Sequence, residues 1–389
     1  MRYSYITGFD PSFYPRPYFF FKCCGIPTYF LRTFIGYLRS PTKRPGSRER
    51  RQQEVSATRG NPLKTIHNCL RAIYNCPRQD HTVLLDVSLY ELLYAPYFSK
   101  IESDGIIVMN PYGVYAAKAV GKKVVVDLMD LWSCRRDVFA LNAFDFHALR
   151  RADLVIAWSR AIAALLRSMG LRRVEYLPYG LDLESFNPLT VTPYIFLERY
   201  GIDPSTFKVV YSGGMWKVDG KDVLGVEKLL FAFRIVEERR RDMVLLLQTS
   251  REVVELAKRV GLRNFVYVER TPRSNDPLRL SMFRAADILV LTASRYPAVY
   301  FAERTTMFQY MSSSNTILAE DTPGVRGVLR NGETGYLVPI DRPEKLAEGI
   351  MELMQDDGLR KYLGRQARER LEQHYTWQAL GRKARELLL

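Results

Sequence analysis

The sequence contains few of the residues that build metal centres or disulfide frameworks. Its 389 residues include five cysteines and four histidines, and no two cysteines form a C-x-x-C pair. An odd number of cysteines without such spacing is typical of a reducing compartment, and the histidines are scattered without ligand spacing. We therefore expect no bound metal and a cytoplasmic location.

Long apolar runs are also missing. No stretch of about 18 uninterrupted apolar residues occurs, so no transmembrane helix is predicted. The first residues do not form the charged segment, apolar core and small-residue cleavage site of a signal peptide, and we expect none. With 47% apolar and 25% charged residues, the composition is that of a soluble globular protein, and 389 residues suffice for two domains.

Negative charge is in deficit. Lysine and arginine number 57 against 42 acidic residues, which gives a net charge of +15. Such an excess favours an anionic partner, which can be a membrane surface, a nucleic acid or a phosphorylated substrate. A basic surface that serves only solubility is an alternative explanation of this net charge.

Short apolar runs alternate with helical segments along most of the chain. The run Lys123–Leu128 (KVVVDL) has the composition of a strand buried on both faces, and Gly225–Arg239 has apolar residues at helical spacing. This alternation predicts doubly wound α/β domains with parallel sheets. The other predicted strands are Tyr3–Thr7, Thr82–Val87, Gly105–Met109, Asp153–Ala157, Val174–Leu177, Lys208–Ser212, Met243–Leu247, Phe265–Val268, Ile288–Leu291 and Thr316–Ala319.

The N-terminal segment over residues 17–38 is rich in aromatic and apolar side chains, and the following Arg39–Arg51 is basic. An apolar-aromatic helix beside a basic cluster is the usual composition of a segment that binds anionic lipid reversibly. A core helix followed by a solvated loop has the same composition. Both interpretations stay open at this point.

Several motifs stand in a fixed order. They are ADLVIAWS at Ala152–Ser159, LPYGLDLESFNP at Leu177–Pro188, QYMSSSNTILA at Gln309–Ala319, DTPGVRGV at Asp321–Val328 and GETGYLVPID at Gly332–Asp341. Together they resemble the retaining glycosyltransferases of the two-Rossmann-domain (GT-B) type, in particular family 4, also called group 1.

The resemblance covers most of residues 80–389. It implies a GT-B architecture: two Rossmann-like domains with parallel sheets facing a cleft, and a C-terminal helix that crosses back. We predict an acceptor-side domain over residues 1–188, with a basic and aromatic insert at about 10–60. A nucleotide-sugar-binding domain follows over 189–375, and the crossover helix over 376–389.

Glycines and basic residues are expected around the donor diphosphate. Gly8 follows the first strand, where a phosphate can approach the backbone. In the second domain the family shows a glycine, an arginine and, further on, a lysine and a glycine. Here Gly213 keeps the glycine, and Gly214 stands at the arginine position. Lys217 and Lys221 remain to meet the phosphate charge. Because such groups can stabilise a leaving diphosphate and the sequence has no Asp-x-Asp triplet, we predict a metal-independent site.

The two acidic positions of the family are altered. Gln309 stands where a carboxylate accepts hydrogen bonds from ribose, and its amide oxygen can accept one without charge assistance. Phe301 occupies the first acidic position, and Glu303 is the nearest carboxylate. Glu303 is predicted to contact the donor sugar or, alternatively, to form a surface ion pair with a neighbouring arginine. Thr305 and Thr306 are predicted to offer hydroxyls to phosphate at a helix start, and Thr305 to cap that helix.

A carboxylate is expected in the first domain as well. Relatives often carry D-x-H-D-x-W after the fourth strand, and this chain reads DLMDLW over Asp127–Trp132, with Met129 in place of the histidine. Asp130 is predicted to orient the acceptor hydroxyl or the donor sugar. Helix capping is the structural alternative for this side chain.

The resemblance implies transfer of a hexose from a nucleotide-diphosphate sugar, UDP- or GDP-linked, to a hydroxyl of a lipid-linked or glycan acceptor. It also implies retention of configuration and no prosthetic group. A peripheral contact with the anionic inner membrane face is predicted from the N-terminal segment. Three alternatives remain: a catalytically degenerate GT-B binding protein, a membrane-associated structural protein, and a glycosyltransferase acting on DNA, although nucleic acid is the less favoured partner.

Overall fold

The structure is a computed structural model that describes residues 1–7, 15–30, 53–54, 95–111, 113–131, 143–218, 220–271 and 275–389. The chain divides into two compact units. The first comprises Met1–Leu177 and Gly381–Leu389, and the second comprises Pro178–Leu380. Each unit has its own parallel sheet, so the predicted α/β class is confirmed. The predicted strand Thr82–Val87 and the predicted site residue Gly8 lie outside the described residues.

The first unit is built on one parallel sheet. Its strands are β1 (Tyr3–Thr7), β2 (Thr28–Phe30), β3 (Gln53–Glu54), β4 (Gly105–Met109), β5 (Lys123–Leu128), β6 (Leu154–Ala157) and β7 (Val174–Tyr176). Its helices are α1 (Arg16–Cys24), α2 (Ala95–Phe98), α3 (Val114–Ala119), α4 (Ala143–Arg151) and α5 (Arg160–Ser168). The strand order β3-β2-β1-β4-β5-β6-β7 reverses direction between β1 and β4, as in dinucleotide-binding folds. The continuous burial of β4 explains why its sequence is apolar without alternation.

A buried ion pair ties α1 to β5. Arg16 and Asp127 are both fully buried, with Nε of the arginine 3.3 Å from Oδ2 of the aspartate. The same carboxylate accepts hydrogen bonds from the Tyr5 hydroxyl at 2.8 Å and from Trp158 Nε1 at 2.7 Å. Arg16 also donates to the carbonyl oxygen of Leu177 at 3.1 Å. These bonds satisfy a charge pair that would otherwise be costly in an apolar interior.

The described part of the N-terminal aromatic segment is a helix followed by a strand, not one long helix. Gly25, at a φ of 67°, ends α1, and β2 begins at Thr28. Two aromatic side chains on α1 are exposed: Tyr18 at 53% and Phe21 at 56%. Their rings stack at a centroid distance of 6.4 Å. Among the described residues, no helix is both long and apolar enough to cross a membrane.

The second unit contains a second parallel sheet and a small hairpin. Its strands are β8 (Phe207–Ser212), β9 (Lys217–Val218), β10 (Lys221–Asp222), β11 (Met243–Gln248), β12 (Phe265–Val268), β13 (Ile288–Leu291), β14 (Thr316–Glu320) and β15 (Tyr336–Val338). The large sheet has the order β12-β11-β8-β13-β14-β15, and β9 pairs antiparallel with β10. The order reverses between β8 and β13, which places a ligand-binding position at their carboxyl ends.

Helices flank this second sheet. They are α6 (Tyr194–Tyr200), α7 (Val226–Glu237), α8 (Arg251–Val260), α9 (Pro277–Ala285), α10 (Pro297–Tyr300), α11 (Thr305–Met311), α12 (Pro323–Arg326), α13 (Pro343–Gln355), α14 (Asp357–His374) and α15 (Trp377–Leu388), the last of which runs into the first unit. The apolar face predicted for α7 is confirmed, since Leu229, Leu230 and Phe233 are fully buried. They belong to one core with Leu245 and Leu247 of β11.

The hairpin β9–β10 is an insertion between β8 and α7, where the sequence shows a lengthened loop. Its turn contains Gly220 at a φ of 77°. Trp216, just before the hairpin, packs edge-to-face on Tyr296 at 5.3 Å. The apolar cluster between them has Val223, Ala293 and Val299 as its buried members. The hairpin is therefore anchored on the segment that follows β13.

Candidate functional site

The carboxyl edge of the second sheet begins with two glycines after β8. Gly213 donates its amide hydrogen to the carbonyl oxygen of Gln248 at 3.1 Å. A Cβ atom at Gly213 would lie 2.8 Å from the Tyr211 hydroxyl, so a side chain does not fit there. At Gly214, among the residues described, such an atom would have Nη1 of Arg270 as its neighbour, at 3.6 Å. The backbone is thus open to a ligand at this edge.

A guanidinium organises the polar side chains at the same edge. Arg279 of α9 donates from Nε to Oε1 of Gln248 at 2.9 Å and from Nη2 to Oε1 of Gln309 at 2.8 Å. It also reaches Oγ of Ser212 at 3.3 Å. Its charged plane lies over the ring of Phe283 at 4.9 Å. Three elements, β8, β11 and α11, are thereby joined through one side chain.

Burial changes the titration of this cluster. Removal from water is the main cause that lowers the pKa of Arg279 to about 10, and the positive charge of Arg270 acts in the same direction. Burial also raises the pKa of Tyr310, which therefore stays neutral. Its hydroxyl accepts from the Ser212 amide at 2.9 Å. At neutral pH Arg279 and Arg270 therefore make the carboxyl edge of the second sheet cationic.

The orientation of two amides follows from this arrangement. A guanidinium only donates hydrogen bonds, so the atoms of Gln248 and Gln309 that face Arg279 must be oxygens. The oxygen of Gln309 that was predicted to accept from ribose is therefore already bonded to Arg279. The amide nitrogen of Gln248 is buried and, in the part of the chain that the structure describes, has no hydrogen-bond partner. Such unsatisfied buried groups are rare in proteins and occur at functional sites.

The two lysines of the hairpin differ in their surroundings. Lys217 forms an ion pair with Glu252, with Nζ 2.5 Å from Oε1, and both side chains are about half exposed. Lys221 is exposed, and no ion pair involves it among the residues described. Of the two predicted phosphate ligands, Lys221 is thus the one whose charge is available.

Glu303 is buried, with 4% of its surface exposed, so the alternative that places it on the surface is wrong. Its carboxylate lies against Gly327, where Oε1 would be 2.7 Å from an added Cβ atom. Two arginines near it in the sequence also contact other groups. Arg304 donates to the carbonyl oxygen of Thr292 at 2.5 Å, and Arg295 pairs with Asp341 at 3.3 Å.

Helix α11 begins beside this carboxylate. Its N-cap is Arg304, without a side-chain hydrogen bond, and Thr305 is the first helical residue. The prediction that Thr305 caps the helix is therefore wrong, because the backbone already turns at Arg304. Thr305 and Thr306 are half-buried. They remain predicted phosphate ligands.

A second charged cluster fixes the segment that leads to Glu303. The fully buried Glu320 accepts from Lys228 Nζ at 2.7 Å and from the amides of Ala293 and Asp341. Lys228 also bonds the carbonyl oxygen of Ala293 at 2.6 Å and Oδ1 of Asp341 at 2.8 Å. Burial raises the pKa of Glu320, and Lys228 opposes that shift. The loop after β13 is thus tied to α7, β14 and the segment after β15.

Asp130 lies in the first unit, two residues after β5 ends at Leu128. It is half-buried. The preceding Met129 donates its amide hydrogen to Oδ1 of Asn110 at 2.9 Å. Asn110 itself has a φ of 58°, a conformation that asparagine tolerates. Asp130 is therefore at the carboxyl edge of the first sheet, as the motif predicts.

The structure brings some predicted residues together and adds others. Gln309 is bonded to Arg279, Gly213 to the backbone of Gln248, and Gly214 lies near Arg270, whereas Lys217 is engaged with Glu252. The sequence interpretation missed Arg279, Gln248 and Arg270. Two of them had a usable signal, because Gln248 and Arg270 stand at or just past the carboxyl ends of predicted strands. Nothing in the sequence pointed to Arg279, which is a basic residue between two leucines.

No group of three or more His, Cys, Asp or Glu side chains that could hold a metal ion occurs within the described ranges.

A family model named "Glycosyl transferases group 1" matches residues 221–370. Curated relatives include a D-inositol 3-phosphate glycosyltransferase of Pseudarthrobacter chlorophenolicus, 26% identical over 225 residues, which are 56% of this chain and 50% of that protein. A phosphatidyl-myo-inositol mannosyltransferase of Mycobacterium tuberculosis is 27% identical over 221 residues, 54% and 50% of the two chains. The chain thus spans about half the length of the curated relatives that it matches.

Solved structures resemble the whole chain at low identity. Sucrose-phosphate synthase of Thermosynechococcus elongatus has a TM-score of 0.71 at 16% identity and covers 100% of this chain and 98% of its own. Anabaena HepE, solved with UDP and glucose, has a TM-score of 0.70 at 14% identity, with 100% and 99% covered. These likenesses show the fold, which is that of GT-B glycosyltransferases. The protein therefore has a GT-B fold, and its residues 221–370 match the model of the group 1 glycosyl transferases.

Proposed function

We propose that this protein is a retaining, metal-independent glycosyltransferase of family 4 that moves a hexose from a nucleotide-diphosphate sugar to a hydroxyl acceptor. The observation that carries the proposal is the cationic carboxyl edge of the second sheet. There, Arg279 joins β8, β11 and α11, largely within the segment that matches the group 1 model. An open glycine backbone beside guanidinium groups is suited to a diphosphate.

Each predicted residue takes a role in this proposal. Gly213 would let the diphosphate approach the backbone, Gly214 would leave space for a basic side chain beside it, and Lys221 would add charge. Gln309 would contact the ribose through its amide nitrogen or the second lone pair of its oxygen, since Arg279 holds the first. Two further hydroxyls, those of Thr305 and Thr306, would meet phosphate at the start of α11.

The two candidate catalytic carboxylates would act on the sugar and the acceptor. Glu303 would contact the hexose, because its burial and its fixed place against Gly327 restrict its movement. Asp130 would orient the acceptor hydroxyl from the first unit, and Gly8 would face the donor phosphate. Retention of configuration is part of the proposal through the likeness to family 4.

Names and titles of the similar proteins support the choice of substrates. The Anabaena structure contains UDP and glucose, which favours a UDP-linked hexose, and the mycobacterial relative is named for phosphatidyl-myo-inositol, which favours a lipid acceptor. The exposed Tyr18 and Phe21 of α1 would serve such an acceptor by resting on an anionic membrane surface.

A thermal-shift screen against UDP, GDP, ADP and their common sugar conjugates at low salt tests the proposal. A ligand at about 100 times its dissociation constant stabilises the folded state by about 2.7 kcal/mol, which the melting temperature reports. We expect a shift with UDP or GDP, followed by measurable hexose transfer. The absence of any shift at millimolar nucleotide would refute a donor site.

The second candidate is a binding protein that kept the fold and lost catalysis. The bond from Arg279 to Gln309 and the pairing of Lys217 with Glu252 favour it, since both remove groups assigned to the donor. A nucleotide-induced shift without turnover on any acceptor would select this candidate.

A further inference from the structure

Residue 214 has no side chain, and another residue fills the space. Nη1 of Arg270 lies 3.6 Å from the place where a Cβ atom at Gly214 would be, and no other described residue beyond the chain neighbours of Gly214 comes within 4 Å of that place. Arg270 follows β12, two strands away from β8 in the sheet order β12-β11-β8. The side chain therefore crosses the carboxyl edge of β11 to reach the glycines.

The glycine itself is not required by backbone strain. Gly214 is not among the glycines with positive φ, and a side chain there would make only an ordinary contact with Arg270. This differs from Gly213, where the Tyr211 hydroxyl leaves no room. Position 214 can therefore hold a larger residue. With glycine there, the guanidinium of Arg270 lies beside the unfilled space.

The charge of Arg270 is not neutralised within the protein as described. The side chain is exposed, and no carboxylate forms an ion pair with it in the described ranges. The charge of Arg270 is felt by the buried guanidinium of Arg279, whose pKa it helps to lower. Two guanidinium groups held near each other repel, and an anion bound between them and the glycine backbone removes that repulsion.

We propose that Arg270 binds the diphosphate of the donor from the space that Gly214 leaves open. The cation that the family resemblance places on the loop after β8 is thereby supplied by the loop after β12. This inference rests on the proposed function, because it assigns a residue to the donor diphosphate. Arg270 would hold the phosphate oxygens through the paired hydrogen bonds that only a guanidinium provides.

Calorimetric titration of the full chain with UDP tests the assignment. Arg270→Ala should weaken UDP binding about 10- to 100-fold, since a hydrogen bond to a charged group contributes about 1.5–3 kcal/mol. Arg270→Lys should recover part of the loss. Binding of uridine, which has no phosphate, should not change. Arg263→Ala is the matched control, because Arg263 is exposed at the opposite end of β12.

The decisive variant exchanges the two positions. In Arg270→Ala/Gly214→Arg, a guanidinium returns to the same space from β8, and we expect UDP binding within about threefold of the wild type. Circular dichroism confirms that each variant folds. Wild-type affinity in Arg270→Ala, or an equal loss in Arg263→Ala, overturns the assignment, as does failure of the exchange to restore any binding.

Inorganic pyrophosphate separates this inference from the proposed function. If the wild type binds pyrophosphate but no nucleotide, and Arg270→Ala abolishes that binding, the anion site stands and the donor assignment falls. If the wild type binds UDP and Arg270→Ala leaves the affinity unchanged, the proposed function stands and the role of Arg270 falls. If the wild type binds neither, both fall.

Discussion

At the scale of single residues, Glu303 owes its position to a glycine. The carboxylate occupies the space that a side chain at residue 327 would need. Gly327 has an ordinary helical backbone, with φ of −60° and ψ of −28°, so alanine can adopt it without strain. The substitution therefore acts first on the carboxylate, since the next contact, with the carbonyl oxygen of Gly324, is longer at 3.3 Å.

Gly327→Ala is expected to displace the Glu303 carboxylate and to lower kcat/KM for hexose transfer about 10- to 100-fold, because a misplacement of about 1 Å costs up to that much. The melting temperature should change by only a few degrees, since the atom that must move is the end of a flexible side chain. Steady-state kinetics and a thermal melt measure both effects.

Gly358→Ala provides the control. Gly358 lies in the first turn of α14, where a Cβ atom would be 3.4 Å from Oδ1 of Asp356, an ordinary contact. Alanine there should add up to about 1 kcal/mol of stability and leave turnover unchanged. Unaltered kinetics in Gly327→Ala would remove Glu303 from the reaction.

Individual residues were predictable where a motif fixes their place in the chain. The motif over Gln309–Ala319 placed Gln309 at the edge of the sheet, and the structure agrees. The partner of Gln309 was not predictable, because Arg279 lies 30 residues earlier and meets it only through tertiary packing. For Glu303 the sequence also allowed a surface ion pair, because arginines lie near it in the chain. Its burial depends on residues distant in sequence, such as Gly327, and was therefore not predictable.

At the scale of elements, the hairpin β9–β10 connects two loops at the carboxyl edge of the second sheet. Besides the Trp216 contact with Tyr296, Ser294 Oγ donates to the carbonyl oxygen of Val223 at 2.6 Å. Thr292 Oγ1 donates to that of Leu224 at 2.7 Å. The loop that carries Lys221 is therefore held in register with the segment that leads to Glu303.

Trp216→Ala should loosen this connection. Because the side chain is half-buried, we expect a loss of about 1–2 kcal/mol in the free energy of unfolding, below the about 3–5 kcal/mol of a fully buried aromatic. The donor KM should rise several-fold. Trp216→Phe, which keeps the ring contact, should behave nearly as the wild type. A stability loss with an unchanged KM would show that the hairpin plays no part in donor binding.

Strands with a continuous apolar run were predicted well, and strands of two residues were not. Strands such as β5 and β13 have the predicted bounds because continuous apolar residues leave few alternatives. The hairpin was expected only as a longer loop, since strands of two residues have no periodicity to recognise. The apolar contacts of Trp216 hold it in place.

At the scale of the whole molecule, the net charge of +15 and the exposed aromatic pair on α1 favour an anionic surface. We expect binding to vesicles of phosphatidylglycerol but not to phosphatidylcholine alone. Raising the salt from about 0.1 M to about 1 M should release the protein, because the Debye length falls from about 10 Å to about 3 Å.

Tyr18→Ser/Phe21→Ser should weaken vesicle binding about tenfold or more, because it removes apolar surface that would enter the interface. The matched control is Tyr194→Ser/Ile195→Ser on α6, where both side chains are also exposed, at 54% and 43%. Sedimentation with vesicles measures both variants. Equal losses in the two would mean that charge alone drives the binding.

The fold class was predictable at this scale because alternating strands and helices permit few topologies. The division of the chain at Leu177 coincides with the end of the first sheet, and motif order alone does not fix such a boundary. The strands β2 and β3 of the N-terminal part were not predicted either. They are three and two residues long, and the pairing of β2 with β1 and of β3 with β2 defines them.

The Arg16–Asp127 pair makes the N-terminal helix indispensable to the interior of the first sheet. A polypeptide that began after Cys24 would keep the Asp127 carboxylate in the middle of β5 but lose its counter-ion, with the Trp158 indole as the remaining donor described here. Breaking a buried pair in this way costs about 3–5 kcal/mol, a large part of the about 5–15 kcal/mol that keeps a domain folded. Proteolytic trimming at the amino end would therefore leave a first unit too unstable to stay folded.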